Sequence, residues 1–389
     1  MKARKIWTAM ACTMACVLTA CGGGQSGEKS SAAADTTAAV TTAEAAAGSS
    51  TAETTGEGST SLAAAEYLSG EYDALPEDGE KYNLSIAYAG GENTEGHVVM
   101  SALKEALEYY SNGKITVALY PNGQLGSDAE MIASCIAGDI DIVMQCGSTH
   151  ATFVPETQIF DTPFLFSGVD IKDVEAATID SEFRDLYNAA NEKAGLKCLM
   201  LKAAETMDLT SNKAVYSLDD LKGLKIRTAQ TESRMLIWSS LGANPTPLAY
   251  SELYMALQNG TVEASDNIYS NDVTGGFGEQ QKYIIPTDHF LVSVDLTMNL
   301  ETFQAMPAEY QNMITKICEE ISHYDYALTV ADIDKNLQTL IQDYDMEVCE
   351  ISDEFRTSMV EAAKPAIESA KEMVGNDALY EALDKSLGR

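Results

Sequence analysis

The stretch Gly223-Leu-Lys-Ile-Arg227, followed by Leu241-Gly-Ala-Asn-Pro-Thr-Pro-Leu-Ala-Tyr-Ser-Glu-Leu-Tyr254 and closed by Asp266-Asn267, sets several position-specific demands within one short segment. Alternation from Leu224 to Ala229 places Leu224, Ile226 and Thr228 on one side of a short strand, with Arg227 on the other near its end. Pro245 and Pro247 bracket Thr246 in an extended turn, because neither proline is tolerated inside a helix. Ser251 then reads as the N-cap of a helix carrying Leu253, Ala256 and Leu257, and Gly260 as its stop. Strand end, rigid turn and helix start converge where open α/β sheets bind ligands. Arg227 would supply a planar fork of donors there, matched to a carboxylate.

The N-terminus is an export signal. Lys2, Arg4 and Lys5 precede an apolar run from Ile6 to Leu18, too short to span a bilayer. Leu18-Thr-Ala-Cys21 reads as a lipoprotein cleavage box, with residues 1–20 removed and Cys21 lipidated. Two or three acyl chains would then hold the protein on the membrane. From Gly22 to about Glu80, Ala, Thr, Ser and Gly dominate, so residues 21–80 are expected to form a flexible tether. The folded body is expected from about Lys81 onward, long enough for two α/β lobes.

The full chain carries a formal net charge of −34, and loss of the basic leader makes it more acidic. Such a field opposes binding to nucleic acid or to anionic headgroups, so an anionic ligand requires a local cation. Beyond the leader the arginines are Arg184, Arg227, Arg234, Arg356 and Arg389. Arg184 and Arg356 read as solvated helix residues, and Arg234, near Trp238, faces either cleft or solvent. Arg227 is the best anchor. Cys135, Cys146, Cys198, Cys318 and Cys349 are odd in number and scattered, which suits small buried hydrophobes and neither a disulfide framework nor a metal centre. The histidines lack metal spacing, and no cofactor motif is present.

Along the body, strand and helix alternate. Strands are expected at Leu84–Ala89, Ile115–Tyr120, Ile140–Cys146, Lys197–Leu201, Leu209–Thr210 and Leu224–Thr228. Helices are expected at His97–Tyr110 and Asp128–Ala137, and a very long one from Pro307 to about Tyr344. This pattern gives an α/β chain of two lobes with a cleft between them.

An ordered set of motifs adds a family resemblance. It comprises His97, Gly113–Gly126, Met131, Phe153-Val-Pro155, Phe160-Asp161, Pro163-Phe-Leu-Phe166, Asp220-Leu-Lys-Gly223, the Arg227-to-Asn267 segment and Lys282-Tyr283. With these motifs the chain resembles the solute-binding subunits of tripartite ATP-independent periplasmic (TRAP) transporters, the DctP family. The resemblance implies a periplasmic-binding-protein-like fold whose long helix braces both lobes. Lobe I would comprise residues 81–204 with about 293–332, and lobe II residues 205–292 with about 333–389.

Carried over position by position, the resemblance makes Arg227 the carboxylate clamp, Asn267 a second donor to the same group, and Tyr250 an aromatic against the ligand. Gln145, Cys146 and Tyr88 would face the ligand from lobe I. Met207 stands where many members have a second arginine, and Asp266 where glutamate is usual. Without that second cation, a monocarboxylate bearing hydroxyl, keto or amino groups is preferred over a four-carbon dicarboxylate. The implied role is a non-enzymatic, lipid-anchored extracytoplasmic receptor. It would deliver an organic acid to a small and a large membrane subunit for uptake driven by an ion gradient. A ligand-sensing lipoprotein and a secreted α/β enzyme are the alternatives, the latter lacking a Gly-x-Ser-x-Gly elbow or a histidine cluster.

Overall fold

The computed structural model describes residues 63–389. Among these the strands are β1 (Tyr82–Tyr88), β2 (Ile115–Tyr120), β3 (Ile142–Cys146), β4 (Leu196–Ser211), β5 (Lys225–Thr228), β6 (Asn244–Pro247), β7 (Ala264–Asn267), β8 (Tyr283–Asn299) and β9 (Glu347–Val348). They join in the order β2-β1-β3-β8-β4-β7-β5-β6, with β9 beside β8. At one end β2, β1 and β3 run parallel, and β3 pairs antiparallel with the last part of β8, from Ile142–Met298 to Cys146–Val294. At the other end β6, β5 and β7 run parallel, and β7 pairs with the last part of β4, from Asp208–Asn267 to Ser211–Ala264. Each group of parallel strands is the sheet of one lobe, and β4 and β8 pass through both.

Those two crossing strands were only partly legible. Short segments at Lys197–Leu201 and Leu209–Thr210 are one 16-residue strand, paired with a 17-residue β8 that the sequence pattern does not announce. Their pairing slips at Cys198/Met200, Ala203/Glu205 and Met207/Leu209. Each slip interrupts the two-residue alternation on which a strand reading depends. The polar residues Lys202, Glu205, Asp288 and Ser293 fall in the same crossing region, where strand faces look into the cleft and onto the long helix.

The helices follow their caps closely. Thr94 caps Glu95–Tyr110, and Ser127 with Glu130 forms a capping box on Asp128–Ala137. Ser251 is not a cap: Tyr250–Glu252 makes a tight 3₁₀ turn, and the helix starts at Leu253. The Pro245–Pro247 turn is itself the edge strand β6, where a missing backbone N–H costs no ladder bond. The long helix runs from Ala308 to Gln342. Its first half buries Tyr310, Ile314, Ile317 and Ile321 against Leu103, Leu107 and Met298. Its second half packs Leu337 and Leu340 against Tyr269, Ile284 and Met346. One rigid rod therefore contributes to the cores of both lobes. Truncating Ile317 to alanine would cost about 2–5 kcal/mol by cavity formation.

Three sequence expectations change. The body begins before Lys81: Leu68, Tyr72 and Leu75, from the segment expected in the tether, pack on the lobe I core, where Ala64 is buried. Tyr72 stacks edge-on against Tyr110, and Tyr67 lies against Tyr324. Arg184 is buried rather than solvated, donating to the Cys198 carbonyl at 3.0 Å. Arg356 ties its helix to β8, through Asp288 at 3.0 Å and the Pro286 carbonyl at 3.2 Å. Cys135, Cys198, Cys318 and Cys349 are free and buried, as small hydrophobes would be. The lipidation position Cys21 lies outside the described residues.

Candidate ligand cleft

Arg227 sits near the C-terminal end of β5, and its neighbour across the ladder is Ser265 of β7. Only 5% of it is exposed. Its Nε donates to the Leu248 carbonyl at 3.1 Å, and this bond fixes the plane of the guanidinium. Among the described residues the two terminal nitrogens have no hydrogen-bond or ion-pair partner, so both remain free to grip an oxyanion side by side. Burial lowers its proton affinity and the Asp266 carboxylate pulls it back up, while Arg234 adds a lowering of its own. Asp266 is buried, accepts from Trp238 Nε1 at 3.0 Å, and lies 3.4 Å from His289 Nε2. It is therefore held behind the site as a fixed counter-charge. An arginine that tied two elements by a salt bridge would have a carboxylate partner, and among the described residues Arg227 has none within ion-pair distance.

Two further expected residues share this end. Asn267 closes β7 beside Asp208 of β4, and its Nδ2 reaches Ser265 Oγ at 3.4 Å. Tyr250 presents its ring with 43% of the residue exposed, braced edge-on by Phe277 and by a 3.1 Å bond from its hydroxyl to the Asn271 carbonyl. Tyr250 and Arg227 lie close enough for each charge to act on the other's titration. A half-exposed aromatic beside a buried, unpartnered guanidinium suits a ligand with one anionic end and one apolar face.

Lobe I contributes less than the resemblance implies. Cys146 ends β3 half-buried, its Sγ 3.3 Å from Ser148 Oγ. Gln145 is buried and bound through Nε2 to Thr297 Oγ1 at 3.2 Å, with its Oε1 unpartnered. Tyr88 is the correction. It is fully buried in the lobe I core, with its hydroxyl on His97 Nδ1 at 2.7 Å, and offers no surface to a ligand. The resemblance placed it facing the ligand, but here His97 of the helix Glu95–Tyr110 covers its hydroxyl.

Met207 does not stand alone where relatives have an arginine: the Arg234 guanidinium lies directly against its sulfur. Arg234 stacks on the Phe290 ring at 4.0 Å and pairs with Asp161 at 3.1 Å. The signal was present in the sequence. Arg234 precedes Trp238 by four residues, and a fully buried tryptophan fixes the inward face of the helix Glu232–Ser240. With Cys146, Ser148 and Ser293, Arg234 and Asp161 line a cavity of about 40 Å³ beside the end of β3.

This arrangement has relatives. Residues 86–373 match the family model described as "Bacterial extracellular solute-binding protein, family 7", DctP. The chain belongs to this family. It is 28% identical over 256 residues to the 2,3-diketo-L-gulonate-binding periplasmic protein of Escherichia coli, covering 65% of this chain and 76% of that one. It is 26% identical over 303 residues to the C4-dicarboxylate-binding periplasmic protein of Vibrio cholerae, covering 77% and 90%. A crystal structure of a TRAP periplasmic solute-binding protein from Ochrobactrum anthropi superposes with a TM-score of 0.74 at 27% identity, over 79% of this chain and 97% of the other. As a DctP-family protein the chain is an extracytoplasmic solute-binding receptor of the TRAP type, for small organic acids. Among the described residues no helix is long and apolar enough to cross a membrane.

Proposed function

We propose that this TRAP receptor captures a hydroxyl-bearing monocarboxylate and releases it unchanged to a small and a large membrane subunit, for uptake driven by an ion gradient. The observation that carries the reading is Arg227: a buried guanidinium, fixed through Nε, with both terminal nitrogens free. A carboxylate docked there completes two parallel charge-assisted bonds, and Asn267 adds a third donor. Tyr250 packs on the ligand's apolar face, and Cys146 and Gln145 approach from lobe I. Closure bends the crossing strands about Ala203–Asp208 and Pro286–Ser293, where register slips and the positive φ of Asp288 loosen the ladder. Water expelled by closure strengthens the Arg227 contact. Export and lipidation at Cys21 hold the receptor on the outer face of the cell membrane.

The relatives' ligands span this chemistry: diketogulonate for the Escherichia coli protein and four-carbon dicarboxylates for the Vibrio cholerae one. Thermal-shift screening against organic acids, followed by calorimetry, tests the reading. A carboxylate that stabilises the unmodified protein and leaves Arg227→Ala unaffected is the expected result. Equal affinity for both proteins would overturn it. Ligand recovered chemically altered would return the enzyme alternative, and a Cys21→Ser protein still in the membrane fraction would remove the anchor.

A further inference from the structure

Where the end of β3 meets β8, one cation and one anion are held together beside a small cavity. Arg234 and Asp161 are largely withdrawn from solvent, with 11% and 15% of their side chains exposed, and their contact is 3.1 Å. The Phe290 ring supports the guanidinium from one side. Only one of its terminal nitrogens is used by Asp161, and the other meets nothing better than the Met207 thioether, a weak acceptor. The cavity beside the pair holds about 40 Å³ and is lined by Ser148, Ser293 and Cys146 as well. That is roughly the space of one water molecule or one hydroxyl group.

We infer that Arg234 and Asp161 together are a specificity-determining pair that reads a ligand hydroxyl, making a polyhydroxylated acid with a single carboxylate the preferred substrate class. The inference rests on Arg227 holding that carboxylate. A hydroxyl entering the cavity accepts from the idle Arg234 nitrogen in place of the sulfur. It donates in turn to Asp161 or to a serine oxygen, so every polar group is satisfied. A second carboxylate has no such fit. It would share Arg234 with Asp161 at close range, and the two anions would lie in a dehydrated pocket around one cation. Arg234 thus fills the Met207 wall without restoring the net charge a diacid requires.

The test uses the full chain, with D-galactonate against galactarate and D-gluconate against glucarate, each pair matched except that a terminal CH2OH becomes a carboxyl group. The unmodified protein should bind each monoacid at least about tenfold more tightly than its diacid. Asp161→Asn makes the wall net positive and should move that ratio toward the diacids by about tenfold. Arg234→Gln should weaken galactonate by about 10- to 100-fold while leaving propionate, which carries no hydroxyl for the pair to read, nearly unchanged. Melting temperatures check that the variants fold; should Arg234→Gln not fold, Asp161→Asn carries the test alone. Tighter diacid binding by the unmodified protein, a ratio unmoved by Asp161→Asn, or no binding of any of the four acids overturns the inference. Retained binding by Arg227→Ala instead condemns the underlying site. Loss there with no change at Asp161 and Arg234 condemns the pair alone.

Discussion

Arg227 and Lys202 are both cations withdrawn from solvent in a strongly acidic protein, yet their surroundings are opposite. Lys202 spends all three ammonium protons on the protein: Glu95 Oε1 at 2.6 Å, Asp325 Oδ1 at 2.9 Å and Thr329 Oγ1 at 2.9 Å. Burial alone would lower its proton affinity, but the Asp325 and Glu95 carboxylates outweigh this and raise it. Arg227 spends one donor of five, on Leu248. The saturated cation ties β4, the long helix and the helix Glu95–Tyr110 together where the lobes meet. The unsaturated one keeps its charge for a ligand. Burial alone therefore does not distinguish a structural cation from a binding one; the count of unused donors does.

Exchanging the two residues' losses gives the sharpest way to break this contrast. Arg227→Ala should reduce ligand affinity by about a hundredfold or more, the usual consequence of removing one member of a buried, hydrogen-bonded charge pair. Arg227→Lys should recover little, because a point charge cannot reproduce the fork. Neither change should lower the melting temperature of the unliganded protein by much, since Arg227 forms no ion pair that either would break, its single bond going to the Leu248 carbonyl. Lys202→Met should do the reverse. Leaving Glu95 and Asp325 buried without their counter-ion should cost about 3–5 kcal/mol of stability, with a smaller effect on affinity measured below the melting transition. Chemical denaturation and calorimetry on both variants read the two effects separately. A Lys202 variant as stable as its parent would erase the distinction.

A weaker test concerns the boundary of lobe I. Deleting residues 63–80 removes the Leu68, Tyr72 and Leu75 contacts, the 3.1 Å bond from Ser69 N to Glu320, and the 2.6 Å bond from Lys316 Nζ to the Glu71 carbonyl. A chain starting at Lys81 should lose about 2–4 kcal/mol relative to one starting at residue 63. The affinity at Arg227 should persist, because none of these contacts involves Arg227, Asn267 or Tyr250. Equal melting temperatures for the two chains would return this segment to the tether.

Much of this was legible from residue patterns. The helices Asp128–Ala137 and Ala308–Gln342 follow from caps and apolar spacing, and the end of β5 follows from Leu224, Ile226 and Arg227. The resemblance adds the family. What stayed hidden depends on contacts between distant segments. The full lengths of β4 and β8 are masked by register slips and buried polar residues. The small-residue tract around Ala64 and Tyr72 looks like tether until the Tyr110 ring is placed beside it. Tyr88 reads as cleft until His97 covers it, and Arg234 reads as ambiguous until Asp161 is brought across.

The smallest expected effect comes from acids rather than bases, and it sharpens the same contrast between satisfied and unsatisfied charge. Asp208, beside Asn267, is fully buried, and its carboxyl is pushed up to about 7, first by burial and then by the Asp288 charge. Glu205, on the same strand, is also pushed up to about 7 by burial. A carboxyl whose folded value lies above its unfolded one binds its proton more tightly in the native state. Stability therefore falls as pH rises from about 4 toward 7, and is flat above that. Asp208→Asn keeps an oxygen for the Asp288 N–H, now 2.9 Å from Asp208 Oδ1, and can donate to the Tyr269 oxygen. The variant should gain about 1–2 kcal/mol at pH 8, gain little at pH 4, and flatten the slope between them. Urea denaturation across that range measures both. An unchanged slope would mean that Asp208 is already ionised in the folded protein, held by its two donors rather than by a proton.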